Sequence, residues 1–123
     1  MFRITAGAIL VQIALGGLVT FEFIDPLIHM IWGTVVAAIV IVTATLALRS
    51  SPRNGGLRGV SLGMVAGILA QIALGFSILA VGSDVLAWIH LVLGVMIYAM
   101  SLTGMSFAVR QEYMSAGQPS VGV

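Results

Sequence analysis

The sequence predicts an all-α membrane protein, a transmembrane up-down-up-down four-helix bundle built from two repeated helical hairpins. Three observations carry that prediction. Of 123 residues, 60% are hydrophobic and only 7% charged, against roughly 45–50% and about 25% in an ordinary soluble domain. The apolar residues fall into four runs long enough to cross a bilayer, and an eight-residue segment of the first run returns in the third with seven positions identical. Five arginines, four acidic residues and no lysine cannot supply a polar shell for a soluble core. The remaining apolar surface faces lipid, the first expected partner.

Taking about 20 apolar residues per span, the first lies near residues 4–23. It outruns the 7–15 residues of a signal-peptide core and has no convincing cleavage site, so it is read as an uncleaved span. Glu22, Asp25 and Pro26 end it. The second lies near 27–48, followed by the stretch from Arg49 to Arg58 with Pro52, Gly55 and Gly56 inside it. The third covers about 59–81, Gly82, Ser83 and Asp84 mark a turn, and the fourth covers about 85–109. Two short outer connections force antiparallel neighbours. Residues 1–110 thus form one bundle, with repeat one near 4–48 and repeat two near 59–109, and the Gly-, Ser-, Gln- and Pro-rich residues 111–123 read as a mobile polar cytoplasmic tail.

Arg3, Arg49, Arg53, Arg58 and Arg110 all fall at one end of the spans, while Glu22, Asp25 and Asp84 fall at the other. By the positive-inside rule both termini are expected in the cytoplasm, with the plasma membrane of a prokaryote as the expected location. Scattered arginines with a net charge of +1 make no stripe for nucleic acid. Without cysteine there is no disulfide, thiolate metal site or covalent haem attachment.

The repeat aligns Ile9-Leu-Val-Gln12-Ile-Ala-Leu-Gly16 with Ile68-Leu-Ala-Gln71-Ile-Ala-Leu-Gly75. The following spans carry Ile28-His29-x-x-x-Gly33 and Ile89-His90-x-x-x-Gly94, displaced by 61 positions where the first pair is displaced by 59, which predicts a second hairpin loop longer by two residues. Spans two and four run the same way, so His29 and His90 share one depth near the extracytoplasmic end. In this topology they sit on diagonal helices, whose axes are about 13 Å apart when neighbours are ~8–10 Å apart. Two imidazoles reaching inward leave room for a flat disc. Gly33 and Gly94 lie one turn deeper on the histidine faces, and Gly16 and Gly75 come to a similar depth on the other helices, a ring of glycines suited to a large planar cofactor. Neutral imidazole is the usual nitrogen ligand of iron, so haem with His29 and His90 as metal ligands is the sharp reading. In the plain reading each His bonds a carbonyl or a Gln, and the glycines only let helices approach, as Gly59, Gly63 and Gly67 do in span three. Zinc fits less well, because two His leave its coordination incomplete.

Gln12 and Gln71 lie one turn from Gly16 and Gly75 near mid-membrane. Each is expected to bond a helix carbonyl or its twin across the pseudo-symmetry axis, or else to line the cofactor pocket. Asp25 and Glu22 at the mouth are candidates to orient a His or approach a propionate, with simple solvation as the alternative. Trp32, Trp88 and Tyr98 are assigned by default to an interfacial belt or to packing.

Gln-x-x-Leu-Gly in one helix followed by His in the next resembles the repeating hairpin of the haem A synthase family, and Gln71-Ile-Ala-Leu-Gly75 with Ala87-Trp-Ile-His90 is the closest match. The resemblance covers essentially the whole chain as one bundle, a half-size version of a family whose full-length members join two. It implies His29 and His90 as axial ligands of a b-type haem and, with the second pocket of a homodimer, oxidation of haem O toward haem A. The family's Glu-x-x-His-Arg is replaced by Pro26-Leu-Ile-His29-Met30, and His90 is followed by Leu91, so the proposed oxidising Glu and its neighbouring Arg are both missing. Two His ligands fill both axial positions, which favours electron transfer with an electron partner over oxygen chemistry. The contrasting class is a small non-haem membrane transporter or structural subunit. A proton-coupled exporter of this size needs an acidic residue within its first span, where this chain has Gln12.

Overall fold

The structure, a computed structural model, describes residues 1–50 and 54–116, with the side chains of Ser115 and Ala116 left aside. Four helices follow in order: α1 (Phe2–Thr20), α2 (Pro26–Ser50), α3 (Gly55–Val81) and α4 (Asp84–Ala116). All four are long and apolar enough to cross a membrane. Each packs against its two neighbours in a square, and among the described residues neither diagonal pair, α1 with α3 or α2 with α4, brings its backbones close together. This is the expected bundle.

The helix ends explain the hairpins. At the end of α1 the Phe23 N–H donates to the Leu18 carbonyl at 2.9 Å and the Glu22 N–H to Val19 at 3.0 Å. This Schellman-type closure puts Glu22 at φ 60°, the left-handed position that usually falls to glycine. Asp25 then caps α2, accepting the Leu27 N–H at 2.7 Å, with Pro26 in the first helical position, where its missing N–H is no loss. Asp25 is thereby employed as a cap and Glu22 as a turn. In the second hairpin α3 runs on to Val81, stopped by Gly82 at φ 64°.

Three expectations are corrected here. The second connection is shorter, not longer, since only Gly82 and Ser83 separate α3 from α4, while residues 21–25 separate α1 from α2. The two extra residues of repeat two lengthen its helices instead, because no Pro or Schellman turn stops them early. The break placed at Arg49–Arg58 is also narrower. Asn54 accepts the Leu57 N–H at 3.0 Å and starts α3 with Gly55 and Gly56 inside its first turn. Gly56 fits there because the Phe107 ring lies against it. Pro52 and Arg53 fall outside the described residues. Finally, the tail expected from residue 111 continues as helix to Ala116, and residues 117–123 lie outside the description. At 1.5 Å per residue the 33 residues of α4 span about 50 Å, beyond a ~30 Å hydrocarbon core, so its C-terminal turns, with Arg110, Glu112 and Tyr113, extend past the apolar layer.

Packing is uneven along the bundle. The buried apolar residues, among them Phe2, Ile9, Val36, Val40, Leu57, Met64, Ile68 and Ile97, run from the end that holds both termini to the middle of the bundle. In the ten residues of each helix nearest its hairpin connection no described apolar side chain is buried. The tight half uses small residues for close approach. Gly67 faces Ile97, Gly63 faces the Met100 methyl, and Gly104 faces the Phe2 ring, whereas Gly59 meets nothing. The stripe predicted in α3 is therefore two contacts and one open position. Trp32 packs on the core and donates its indole N–H to the Ala8 carbonyl at 3.1 Å, Tyr98 also packs on the core, and Trp88 is exposed.

A Cβ at Gly104 would overlap the buried Phe2 ring, while one at Gly59 enters open space. Gly104→Ala is expected to cost about 1–3 kcal/mol and Gly59→Ala nothing. Thermal unfolding of the two variants in the same detergent checks this contrast.

Candidate functional site

The site is built from two copies of one pair. His29 sits in the first turn of α2 and Gln12 mid-way along α1; His90 and Gln71 repeat the arrangement on α4 and α3. All four side chains are partly buried. Gln12 Nε2 donates to the His29 backbone carbonyl at 3.2 Å, and Gln71 Nε2 donates to the His90 carbonyl at 2.8 Å. These carbonyls lie near helix N-termini, and each bond ties the two helices of one hairpin together. The glutamines therefore bond helix carbonyls rather than each other.

The four glycines make this possible. A Cβ at Gly33 would lie 2.9 Å from Gln12 Nε2, and one at Gly94 would lie 2.9 Å from Gln71 Nε2. A Cβ at Gly16 would come 3.1 Å from His29 Cε1, and one at Gly75 would come 3.7 Å from His90 Cε1. The surface expected to face a cofactor is thus occupied at each glycine by a side chain of its own repeat. In lipid an amide needs a partner, and glycine at these positions lets it reach the next helix's backbone.

The imidazoles meet across the diagonal. Their ring centres are 6.2 Å apart with planes inclined at 61°, although the backbones of their helices do not come close together. Four polar atoms here are buried with no hydrogen-bond partner: His29 Nδ1, His90 Nδ1, Gln12 Oε1 and Gln71 Oε1. A further one, Ser61 Oγ, lies in the tightly packed half. Buried polar groups are ordinarily satisfied, so two matched orphans in each repeat mark the place where the protein's own hydrogen bonding is incomplete.

This donor set can be tested against metal chemistry. An imidazole nitrogen lies about 1.1 Å from its ring centre and a metal–imidazole bond is about 2 Å, so two rings on opposite sides of one metal have centres roughly 6 Å apart. The observed ring-centre spacing is of that size, while His29 Nε2 faces the Gln12 amide at 3.1 Å. Among the described residues no three His, Cys, Asp or Glu gather around a point. Two imidazoles alone would leave a zinc ion short of ligands, whereas a haem would need no further ligand from the protein than His29 and His90. The residues present fit a haem. The site lies near the hairpin end, away from the most tightly buried apolar residues.

Comparison with known proteins yields no match to any family model, curated protein or solved structure.

The steric margins differ between repeats, which gives a test of the arrangement. Gly33→Ala and Gly94→Ala should each displace a glutamine amide and lose about 1 kcal/mol, the net worth of one interhelical hydrogen bond in lipid. Gly75→Ala, at ordinary contact distance, should unfold like the wild type, and Gly16→Ala should lie between. Thermal unfolding midpoints in one detergent rank the four.

Proposed function

We propose that the protein is an integral membrane b-type haem protein that transfers electrons, with one haem held between His29 and His90. The observation that carries this reading is the meeting of two repeat-related imidazoles at 6.2 Å inside a bundle whose helices are otherwise apolar. Each ring arrives from a different hairpin, so the group they hold joins the two repeats.

His29 and His90 would hold the haem, and a haem held by two imidazoles would supply one-electron exchange rather than oxygen binding. The chain's own residues do the rest. His29 and His90 supply neutral nitrogen donors, the Gln12 and Gln71 amides hold the helix turns that carry them, and the apolar residues lining the spans exclude water and ions. The family resemblance supports the same ligands. In the absence of its Glu-x-x-His-Arg pattern, electron transfer is the role these residues suit, ahead of haem O oxidation. Arg3, Arg49, Arg58 and Arg110 near one end and Glu22, Asp25 and Asp84 near the other orient the bundle with its termini in the cytoplasm and the haem toward the outer face of a prokaryotic plasma membrane.

A second, structural reading rests on the glutamine amides, which clamp each hairpin whether or not anything lies between the rings. Colour separates the two. The purified full chain should show a Soret band and sharp reduced-minus-oxidised bands of a six-coordinate haem, and His29→Ala or His90→Ala should each lose that low-spin spectrum while the helical content stays. A colourless preparation that takes up no added hemin would leave only the structural clamp.

A further inference from the structure

Among the described residues only four buried side chains are polar: Thr5, Thr43, Ser61 and Ser101, one on each helix and each at most 1% exposed. The helix register brings them to one level. Thr5 and Thr43 bond each other at 2.8 Å. Gly104 faces the Phe2 ring, so the antiparallel run of α1 and α4 carries Thr5 to the level of Ser101. Gly63 faces the Met100 methyl and Gly67 faces Ile97, which carries Ser61 to within a residue of the same level. Three of the four hydroxyl protons are already committed. The Thr5 hydroxyl donates to the Met1 carbonyl at 3.3 Å, so the Thr43 hydroxyl supplies the proton of the pair, and Ser101 donates to the Tyr98 carbonyl at 2.7 Å. A hydroxyl has one proton and two lone pairs. These three therefore offer lone pairs alone, while Ser61 Oγ, fully enclosed, has neither given its proton nor received one.

We propose that this ring of hydroxyls binds one internal water molecule, which accepts the Ser61 proton and donates its own two to lone pairs of the other three. Water supplies what the ring lacks, two donors and an acceptor in a group small enough for a closed core, and such a water makes the two to four bonds usual for a buried one. A sodium ion would also meet lone pairs here, but the buried set holds no charge to balance it, and an unbalanced charge within the hydrocarbon layer is costly. The way in is from the end that holds both termini, where a cavity of about 340 Å³ is lined by Thr43 together with Phe2, Ser50, Leu57 and Gln111. On the other side Ile9, Val36, Met64 and Ile97 are buried, each lying in its helix between a ring hydroxyl and the glutamine or histidine of the candidate site. Water that reaches the hydroxyls is stopped by this apolar layer, short of the imidazoles. The water site stands whether or not the rings hold a haem.

Two measurements on the full chain in lipid nanodiscs test this. Radiolysis by a brief X-ray pulse turns a bound water into a hydroxyl radical that oxidises the side chains touching it, even where bulk solvent has no access. Met64, one turn from Ser61 and 1% exposed, is the natural reporter. It should be oxidised in the wild type and several-fold less in Ser61→Ala, with Tyr113, exposed at the far end of α4, labelled equally in both. Thermal unfolding gives a sign. An orphaned hydroxyl is a burial cost, so Ser61→Ala would raise the midpoint if nothing bonded that oxygen, whereas loss of a bound water's hydrogen bonds lowers it. The expected result is a lower midpoint for Ser61→Ala and one wild-type midpoint in sodium and choline buffers alike. A Met64 that escapes oxidation in the wild type, oxidation undiminished in Ser61→Ala, a raised midpoint, or a wild-type midpoint that falls when choline replaces sodium overturns the proposal. The wild-type labelling decides even if Ser61→Ala does not fold.

Discussion

Hydrogen bonding inside a hydrocarbon layer is the constraint on which the rest of this structure depends. A polar side chain there has no water to turn to, so its partners must come from the protein or from something the protein holds. Gln12 and Gln71 meet that demand with one N–H each by reaching across to the backbone of the next helix. Their carbonyl oxygens and the Nδ1 atoms of His29 and His90 do not. The same residues that clamp each hairpin therefore leave four buried polar atoms without partners at the bundle axis.

The uneven packing places this demand where it can be met. Toward the termini the helices are held by Val36, Val40, Met64 and Ile97 and by the Thr5–Thr43 hydroxyl pair at 2.8 Å, all essentially closed to solvent. That half acts as the rigid base of the bundle. Toward the hairpin turns, contacts are carried by half-buried residues and by the glutamine clamps, so the rings are set by their backbones more than by a dense core.

Repetition and its breakdown are both visible. Gln, His and the four glycines keep their relations in the two hairpins, whereas the supports around them diverge. The position of Thr5 becomes Met64, that of Thr43 becomes Gly104, and the Trp32–Ala8 bond of repeat one has Leu93 and Gly67 in its place. Gly104 then receives the Phe2 ring from the other repeat. The glutamine contacts differ too, since the Gln12 amide reaches both the carbonyl and the ring of His29 while Gln71 reaches the His90 carbonyl.

Composition and the spacing of apolar runs were enough to determine four spans, their antiparallel order and the opposition of two histidines at one level, because lipid permits few alternatives and a repeat copies depth along with sequence. The glutamine-to-carbonyl bonds were legible as one of two options, since a lone amide in a span must bond something. Helix ends were less legible. Glu22 in a left-handed turn and Gly55 and Gly56 within a helix are local backbone choices settled by Schellman closure and by the Asn54 cap, and they reversed the expected loop lengths. What only the tertiary structure decided is which atoms meet: that each glycine faces a glutamine or histidine of its own repeat, that the rings stop 6.2 Å apart, and that one amide reaches its ring while its twin does not. Spacing in a sequence fixes the height and face of a side chain, but a hydrogen bond requires agreement to a few tenths of an ångström, and that depends on how all four helices lean on one another.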